Sequence, residues 1–278
     1  MKQTIKYISL GLCAVLALGS LSGCFSKKGR SADELGLLAD GVLSVGVNIA
    51  YPPFEQWDDD GKPMGLDIDL AKAVAGILDV EVRFENTSWG DLFGGLDADK
   101  YDCVISAVTF NAERAGRMEF SAPYCDNWQA IVIRAGSPPI DGIQGLDGLT
   151  VGYLDESTSA ELLSDLQAEG VLSCTVSKYK QVLDGFDDLR LGRIDAILCD
   201  STLAEGYMAL NSGVFEITWT QAGQPGAEAE MLAIAMKKGN GNLAAAVNDA
   251  LNQLEDSGRL GEIRKAWLGR DKLSTASN

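Results

Sequence analysis

Histidine is absent from all 278 residues. That absence removes the commonest general base, the usual zinc ligand and every Ser-His-Asp or Cys-His nucleophile arrangement, so much hydrolytic chemistry is excluded at once. Basic residues are scarce: 23 Lys and Arg stand against 40 Asp and Glu, a formal charge of −17 at neutral pH. Nucleic acid and anionic membrane surfaces share that sign and would be repelled, so neither is expected as a partner. The apolar run from Ile8 to Leu18 is too short to span a bilayer. No two cysteines form a CxxC pair, and no metal or cofactor is expected.

What is present is globular. With 46% hydrophobic and 23% charged residues, the chain has enough length for one large domain or two modest ones. Its start has the form of an export signal: Lys2 and Lys6 precede the apolar run, which has the length of a signal core. Leu21-Ser22-Gly23-Cys24 follows and resembles the lipobox of bacterial lipoproteins. The resemblance implies a signal peptide over residues 1–23, acylation of Cys24 and a tether over 24–40 that holds the protein on the extracytoplasmic face of the membrane. Several acyl chains anchor a protein stably where one is marginal. Loss of the segment before Cys24 removes two lysines and no acids, leaving the remainder more acidic still. Beyond Cys24 an even number of cysteines remains, Cys103, Cys125, Cys174 and Cys199, and their spacing leaves free thiols and disulfides both open.

From Gly41 onward strand and helix alternate, the pattern of an α/β fold with largely parallel sheets. Leu43, Val45, Val47 and Ile49 alternate as a strand face; Asp67 is placed to cap a helix carrying Leu70, Val74, Ile77 and Leu78. Cys103 to Val108 is an apolar strand buried on both faces. The second half repeats the grammar, with strands expected over 150–154, 172–176 and 194–199 and helices over 159–166 and 181–191. Phe93, Leu96, Lys100 and Asp102 recur as Phe186, Leu189, Arg193 and Asp195 at a constant offset of 93 residues, which suggests two lobes of like design. A last strand over 232–236 and two helices are left over to complete the first lobe. Two local motifs are set aside. The GxGxxA at 239–244 lacks a following βαβ unit and its acidic ribose reader. The acids around Asp58 and Asp60 lack a preceding helix and contain Pro63, so they form an acidic turn rather than a calcium loop.

Tyr51-Pro52-Pro53-Phe54-Glu55, Asp60-Gly61 and Gly65-Leu66-Asp67-Ile68-Asp69-Leu70-Ala71 together resemble the polar-amino-acid family of periplasmic solute-binding proteins. Trp89, the run from Asp102 to Arg114, Phe120-Ser121-Ala122-Pro123-Tyr124 and Gly192-Arg193-Ile194-Asp195-Ala196 before Asp200 extend the likeness over nearly the whole exported chain. It implies a two-lobed fold with a ligand cleft between lobes: one lobe from residues 41–127 and 225–270, the other from 128–224, with a tail over 271–278. The strand crossings are expected near 127–132 and 220–224. It also implies a monomeric binding protein that carries a free amino acid to the permease of an ABC importer. An exported dehydratase on the same fold, keeping the arginine clamp and a cleft carboxylate such as Glu55, is the rival reading, because fold does not decide function.

The resemblance assigns Arg114 to the ligand α-carboxylate with Thr109 beside it, and Asp200 to the α-ammonium with help from the Ala107 carbonyl. The chemistry suits these residue types: an amino acid offers two opposite charges at fixed separation, which a guanidinium fork and a carboxylate can meet. Ser157 and Thr158 stand at a helix start whose amides favour anions. Tyr51, Phe54 and Trp89 match aromatic positions lining the side-chain pocket. The chain departs from the family pattern at Asn48, where some members carry an acid, at Asn111, and at Asp155-Glu156.

Overall fold

The computed structural model describes residues 31–271 and 273; the expected signal peptide and Cys24 lie outside them. After helix α1 (Ala32–Leu35) the chain forms β1 (Val42–Val47), the small hairpin β2 (Gln56–Trp57) and β3 (Pro63–Met64), α2 (Leu66–Leu78), β4 (Glu81–Asn86), α3 (Trp89–Asp97), β5 (Cys103–Val104), α4 (Ala112–Arg117) and β6 (Met118–Phe120). It leaves through β7 (Cys125–Asn127) into β8 (Gln129–Arg134), β9 (Thr150–Leu154), α5 (Thr158–Ala168), β10 (Thr175–Tyr179), α6 (Val182–Arg190), β11 (Ala196–Asp200), α7 (Ser201–Leu210) and β12 (Phe215–Thr220). It returns through β13 (Glu230–Leu232) to β14 (Ala235–Lys237), α8 (Gly241–Asp256) and α9 (Arg259–Leu268).

Two five-stranded sheets result, ordered β4-β1-β5-β14-β6 and β10-β9-β11-β8-β12. In each, three strands run parallel and are flanked by antiparallel partners: β14 against β5 and β6, and β8 against β11 and β12. The leaving and returning strands β7 and β13 pair with each other between the sheets, Asp126 opposite Met231. This is the two-lobed α/β architecture expected. The first lobe's core is built from Leu43, Val45 and Val47 of β1, the apolar face of α2, and Leu243, Val247 and Leu251 of α8, all buried. Packing of α8 on α2 shows how the C-terminal segment completes the first lobe.

The recurrence at 93 residues has a structural cause. The Asp102 N–H donates to the Ser44 carbonyl (3.0 Å) and its carboxylate takes the Ser44 N–H (2.7 Å). Asp195 repeats this with Thr150, at 2.9 and 2.8 Å. Each aspartate pins the entry of one parallel strand onto the start of another, so the same residue is needed at the same place in both lobes.

Four sequence expectations are corrected. Asp67 does not cap α2: Gly65 holds the cap position with φ 141°, and Asp67 is buried in the first turn. The strand from 103 ends at Val104, because Ala107 adopts a positive φ of 47° that no extended strand accommodates. The strand expected over 172–176 lies at Thr175–Tyr179, after the turn at Gly170. The run over 232–236 is split between β13 and β14, which serve different sheets. Cys103, Cys125, Cys174 and Cys199 are all free thiols. Asp58 accepts from the backbone N–H groups of Asp60 and Lys62, forming the acidic turn, and Asn240 caps α8. Among the described residues no helix is long and apolar enough to cross a membrane.

Candidate functional site

A cavity lies between the lobes, holding about 350 Å³ of space that includes open solvent. Its first-lobe wall depends on the short helix α4. Asn111 caps that helix through the Arg114 N–H (2.8 Å), which holds the Arg114 side chain in the cleft, 8% exposed. The guanidinium donates from Nη1 to the Thr109 carbonyl (3.0 Å) and from Nη2 to the Glu156 carbonyl of the opposite lobe (3.2 Å). It also lies 5.6 Å from the ring centre of Trp89 and 5.5 Å from that of Phe93. Carbonyls and ring faces orient the fork without neutralising it, so its charge remains available to an anion. Burial lowers the Arg114 pKa, and the acids Glu161 and Asp200 oppose that shift.

The second-lobe wall begins where β11 ends. Asp200 occupies the cap position of α7, yet its carboxylate makes no capping bond. It instead accepts the Tyr51 hydroxyl at 2.6 Å. Burial first and Glu230 second raise the Asp200 pKa to about 7, with hydrogen bonds from Tyr51 and Asn127 pulling against both. Ser157 caps α5 by accepting from the Ala160 N–H (3.3 Å) while donating to the Leu154 carbonyl (2.6 Å). The Thr158 N–H is among the first-turn donors that helix geometry leaves without an intrahelical partner, and the α5 dipole points its positive end there. Gln129 ties this helix start to the returning strand. Its Nε2 donates to Thr158 Oγ1 (3.2 Å) and Glu230 Oε1 (2.9 Å), and its Oε1 accepts from Ser159 (2.6 Å).

Of the residues singled out from sequence, Tyr51, Trp89, Ala107, Thr109, Arg114, Ser157, Thr158 and Asp200 all line this one cavity. Phe54 does not. It is fully buried in the first-lobe core, because the turn closed by Tyr51 and Glu55 presents those two residues to the cavity and points Phe54 inward. Asn48 lines the wall as well. Sequence reading missed Ser106 and Leu154, and placed Glu55 in the cleft only for the enzyme alternative. Ser106 adjoins Ala107, and Leu154 ends the strand that precedes the Ser157 turn; those positions were the available signal. Among the described residues no cluster of three or more His, Cys, Asp or Glu is arranged to hold a metal.

The arrangement thus places one oriented cation and one buried anion on facing walls, with helix-start amides near the cation and aromatic rings beside it. The sequence profile of bacterial extracellular solute-binding proteins, family 3, matches residues 43–270. The chain is 33% identical over 265 residues to the L-cystine-binding protein TcyJ of Escherichia coli strain K12, covering 94% of this chain and 95% of that one. Among solved structures it is similar to an ancestral arginine-binding protein bound to arginine, with a TM-score of 0.76, 33% identity, and coverage of 82% of this chain and 99% of the other. It is also similar to the ancestral amino acid-binding protein AncCDT-1, a precursor of cyclohexadienyl dehydratase. That match has a TM-score of 0.72 and 28% identity, and covers 82% and 95% of the two chains.

Proposed function

Since the chain belongs to family 3 of the bacterial extracellular solute-binding proteins, we propose that it captures a free α-amino acid with a polar or cationic side chain and delivers it to the permease of an ABC importer. The observation that carries this reading is the pairing of Arg114 and Asp200 in one cavity, each held by neutral groups and each available to an opposite charge. In it the ligand carboxylate lies between the Arg114 fork, Thr109 and the Thr158 amide, while the ammonium meets Asp200 and the Ala107 carbonyl. Tyr51 and Trp89 flank the side chain. The protein acts as a monomer without cofactor, and it binds its ligand without converting it.

A thermal-shift screen against the twenty amino acids tests the proposal, because a ligand at a thousand times its dissociation constant adds roughly 4 kcal/mol of stability. Mass spectrometry of the recovered ligand separates the two classes of function: an unchanged compound supports a binding protein, and turnover above background supports the exported-enzyme alternative. The lipobox-like segment supports anchoring through Cys24 on the outer face of the cell membrane. Intact-mass analysis of the exported protein should find an acylated N-terminal Cys24, and a mature chain starting elsewhere would reject the anchor.

A further inference from the structure

Two carboxyls meet at the cavity floor, Glu55 lining it and Asp67 behind, without a cation between them. Glu55 and Asp67 are both fully buried. Asp67 Oδ2 accepts from the Ala107 N–H (2.6 Å) and the Tyr124 hydroxyl (3.0 Å), while Glu55 Oε1 accepts from the Ser106 hydroxyl (2.5 Å). The remaining oxygens, Glu55 Oε2 and Asp67 Oδ1, are sealed from solvent and meet no donor from the rest of the protein, and the two carboxyls are near enough to perturb each other. Two ionised carboxylates in contact here would repel one another and both lack water; one shared proton converts the contact into a charge-assisted hydrogen bond. Asp67, with two donors already on Oδ2, is the better anion, so the proton belongs to Glu55. Burial first and the neighbouring Asp67 second push the Glu55 carboxyl well above its ordinary range. Tyr51, Tyr124 and Cys125, the other titratable groups near the pair, are all pushed upward by burial and stay neutral.

The consequence reaches the cavity wall. Ser106 has one hydroxyl hydrogen, and it is given to Glu55; its oxygen also accepts the Asn48 N–H at 3.0 Å. What Ser106 offers the cavity is therefore a lone pair. Asn48 gives one Nδ2 hydrogen to the Thr87 carbonyl (2.9 Å) and keeps its Oδ1 acceptor and a second N–H at the next position. At Ser106 the wall accepts hydrogen bonds, and the Asp67 charge behind it disfavours anions.

Resting on the amino-acid-binding reading above, we infer that Glu55 is a specificity-determining positioning residue: carrying the proton it shares with Asp67, it turns the Ser106 hydroxyl away from the cavity, so that the site takes side chains that donate hydrogen bonds and rejects carboxylates. The same Asp67 fixes the Ala107 N–H, so the pair orients two adjacent wall residues at once.

Calorimetric titration of wild type, Glu55→Gln and Glu55→Met with the twenty amino acids, together with infrared difference spectra at about pH 8, tests this. The tightest wild-type ligand should carry a side-chain donor, with aspartate and glutamate weaker by about a hundredfold or more. Glu55→Gln reproduces both hydrogen bonds, so it should keep that ratio within about threefold while losing the band of a protonated buried carboxyl. Glu55→Met keeps the volume but frees the Ser106 hydroxyl, and should shrink the ratio by about tenfold or more. A wild type without the Glu55-dependent band, a tightest ligand lacking any side-chain donor, or an unchanged ratio in Glu55→Met overturns the role of Glu55 while amino-acid binding stands. A wild type that binds none of the twenty overturns the binding reading, and this assignment with it. Should Glu55→Met fail to fold, the band and the Glu55→Gln ratios decide.

Discussion

The Tyr51 hydroxyl donates to Asp200 at 2.6 Å, a single hydrogen bond reaching from the turn after β1 in one lobe to the end of β11 in the other. It exists only when the lobes are together, so it favours closure as well as orienting the acid. Tyr51→Phe should keep the fold and lose this contact. With a hydrogen bond to a charged group worth about 1.5 kcal/mol, ligand affinity should fall roughly tenfold. Calorimetry measures the loss, and small-angle scattering should show reduced compaction at equal ligand; an unchanged affinity would mean the bond contributes nothing to closure.

Asp200 also makes binding depend on pH. Its carboxyl is raised from 3.8 to about 7, chiefly by burial. Before ligand binds, the contribution to stability is therefore fully present below the ordinary value near 3.8 and is lost as pH rises through about 7. An ammonium ligand has the opposite preference and needs the ionised form, so below pH 7 binding must expel a proton. Affinity should climb by up to about tenfold per pH unit between pH 5 and 7 and then level. Titration at pH 6 in buffers of different ionisation enthalpy should report release of close to one proton, and Asp200→Asn should release none. Tyr51→Phe should move the midpoint upward, because the lost hydrogen bond had been lowering it.

The clamp itself is tested by charge-retaining substitution. Arg114→Lys preserves the charge but cannot reproduce a planar fork held at once on the Thr109 and Glu156 carbonyls. It should bind nearly as poorly as Arg114→Ala. Truncating one partner of a desolvated charge pair costs about 2 to 5 kcal/mol, a loss of tens to thousands of fold. A deaminated ligand should bind wild type weakly yet lose little further affinity to Asp200→Ala, since that variant already lacks the ammonium's partner. Near-additive losses in this cycle would show that Asp200 and the ammonium do not meet.

Gly65 sets the start of α2, and through it the position of Asp67. Its φ of 141° is closed to L side chains, and a Cβ there would collide with the Phe54 carbonyl. Gly65→Ala should destabilise the protein by more than about 3 kcal/mol, read as a large fall in melting temperature. Gly61→Ala, where nothing lies nearby, should cost only the strain of its positive φ.

Much of this was legible in the sequence where one physical demand governs a position. Strands buried on both faces show as apolar runs, and the strand-pinning aspartates Asp102 and Asp195 stand out because both lobes require them. The charged ends of the site were readable for a similar reason: Arg114 and Asp200 sit in segments whose local pattern resembles a known family. What escaped was set by contacts distant in sequence. Phe54 is an aromatic beside a cavity residue, and only the tight turn at Tyr51 and Glu55 reveals that it faces the core. Asp67 has the residue type and place of a helix cap, but Ala107 and Tyr124, 40 and 57 residues away, claim its carboxylate. Ala107 carries no sign in its side chain that its backbone will break a strand.

Strand β14 is hydrogen-bonded on one side to β5 and on the other to β6, more than a hundred residues earlier in the chain. The second sheet draws all its strands from one uninterrupted stretch, whereas the first stays open along β5 until residue 237 is available. As the polypeptide emerges N-terminus first, the lobe encoded in the middle can condense while the lobe encoded at the ends waits with an unpaired strand edge, a template for association with other chains. Loss of the chain from Ala235 onward would leave that edge permanently exposed, so quality control should treat a copy terminated before β14 as an aggregation hazard rather than as a weaker version of the intact protein.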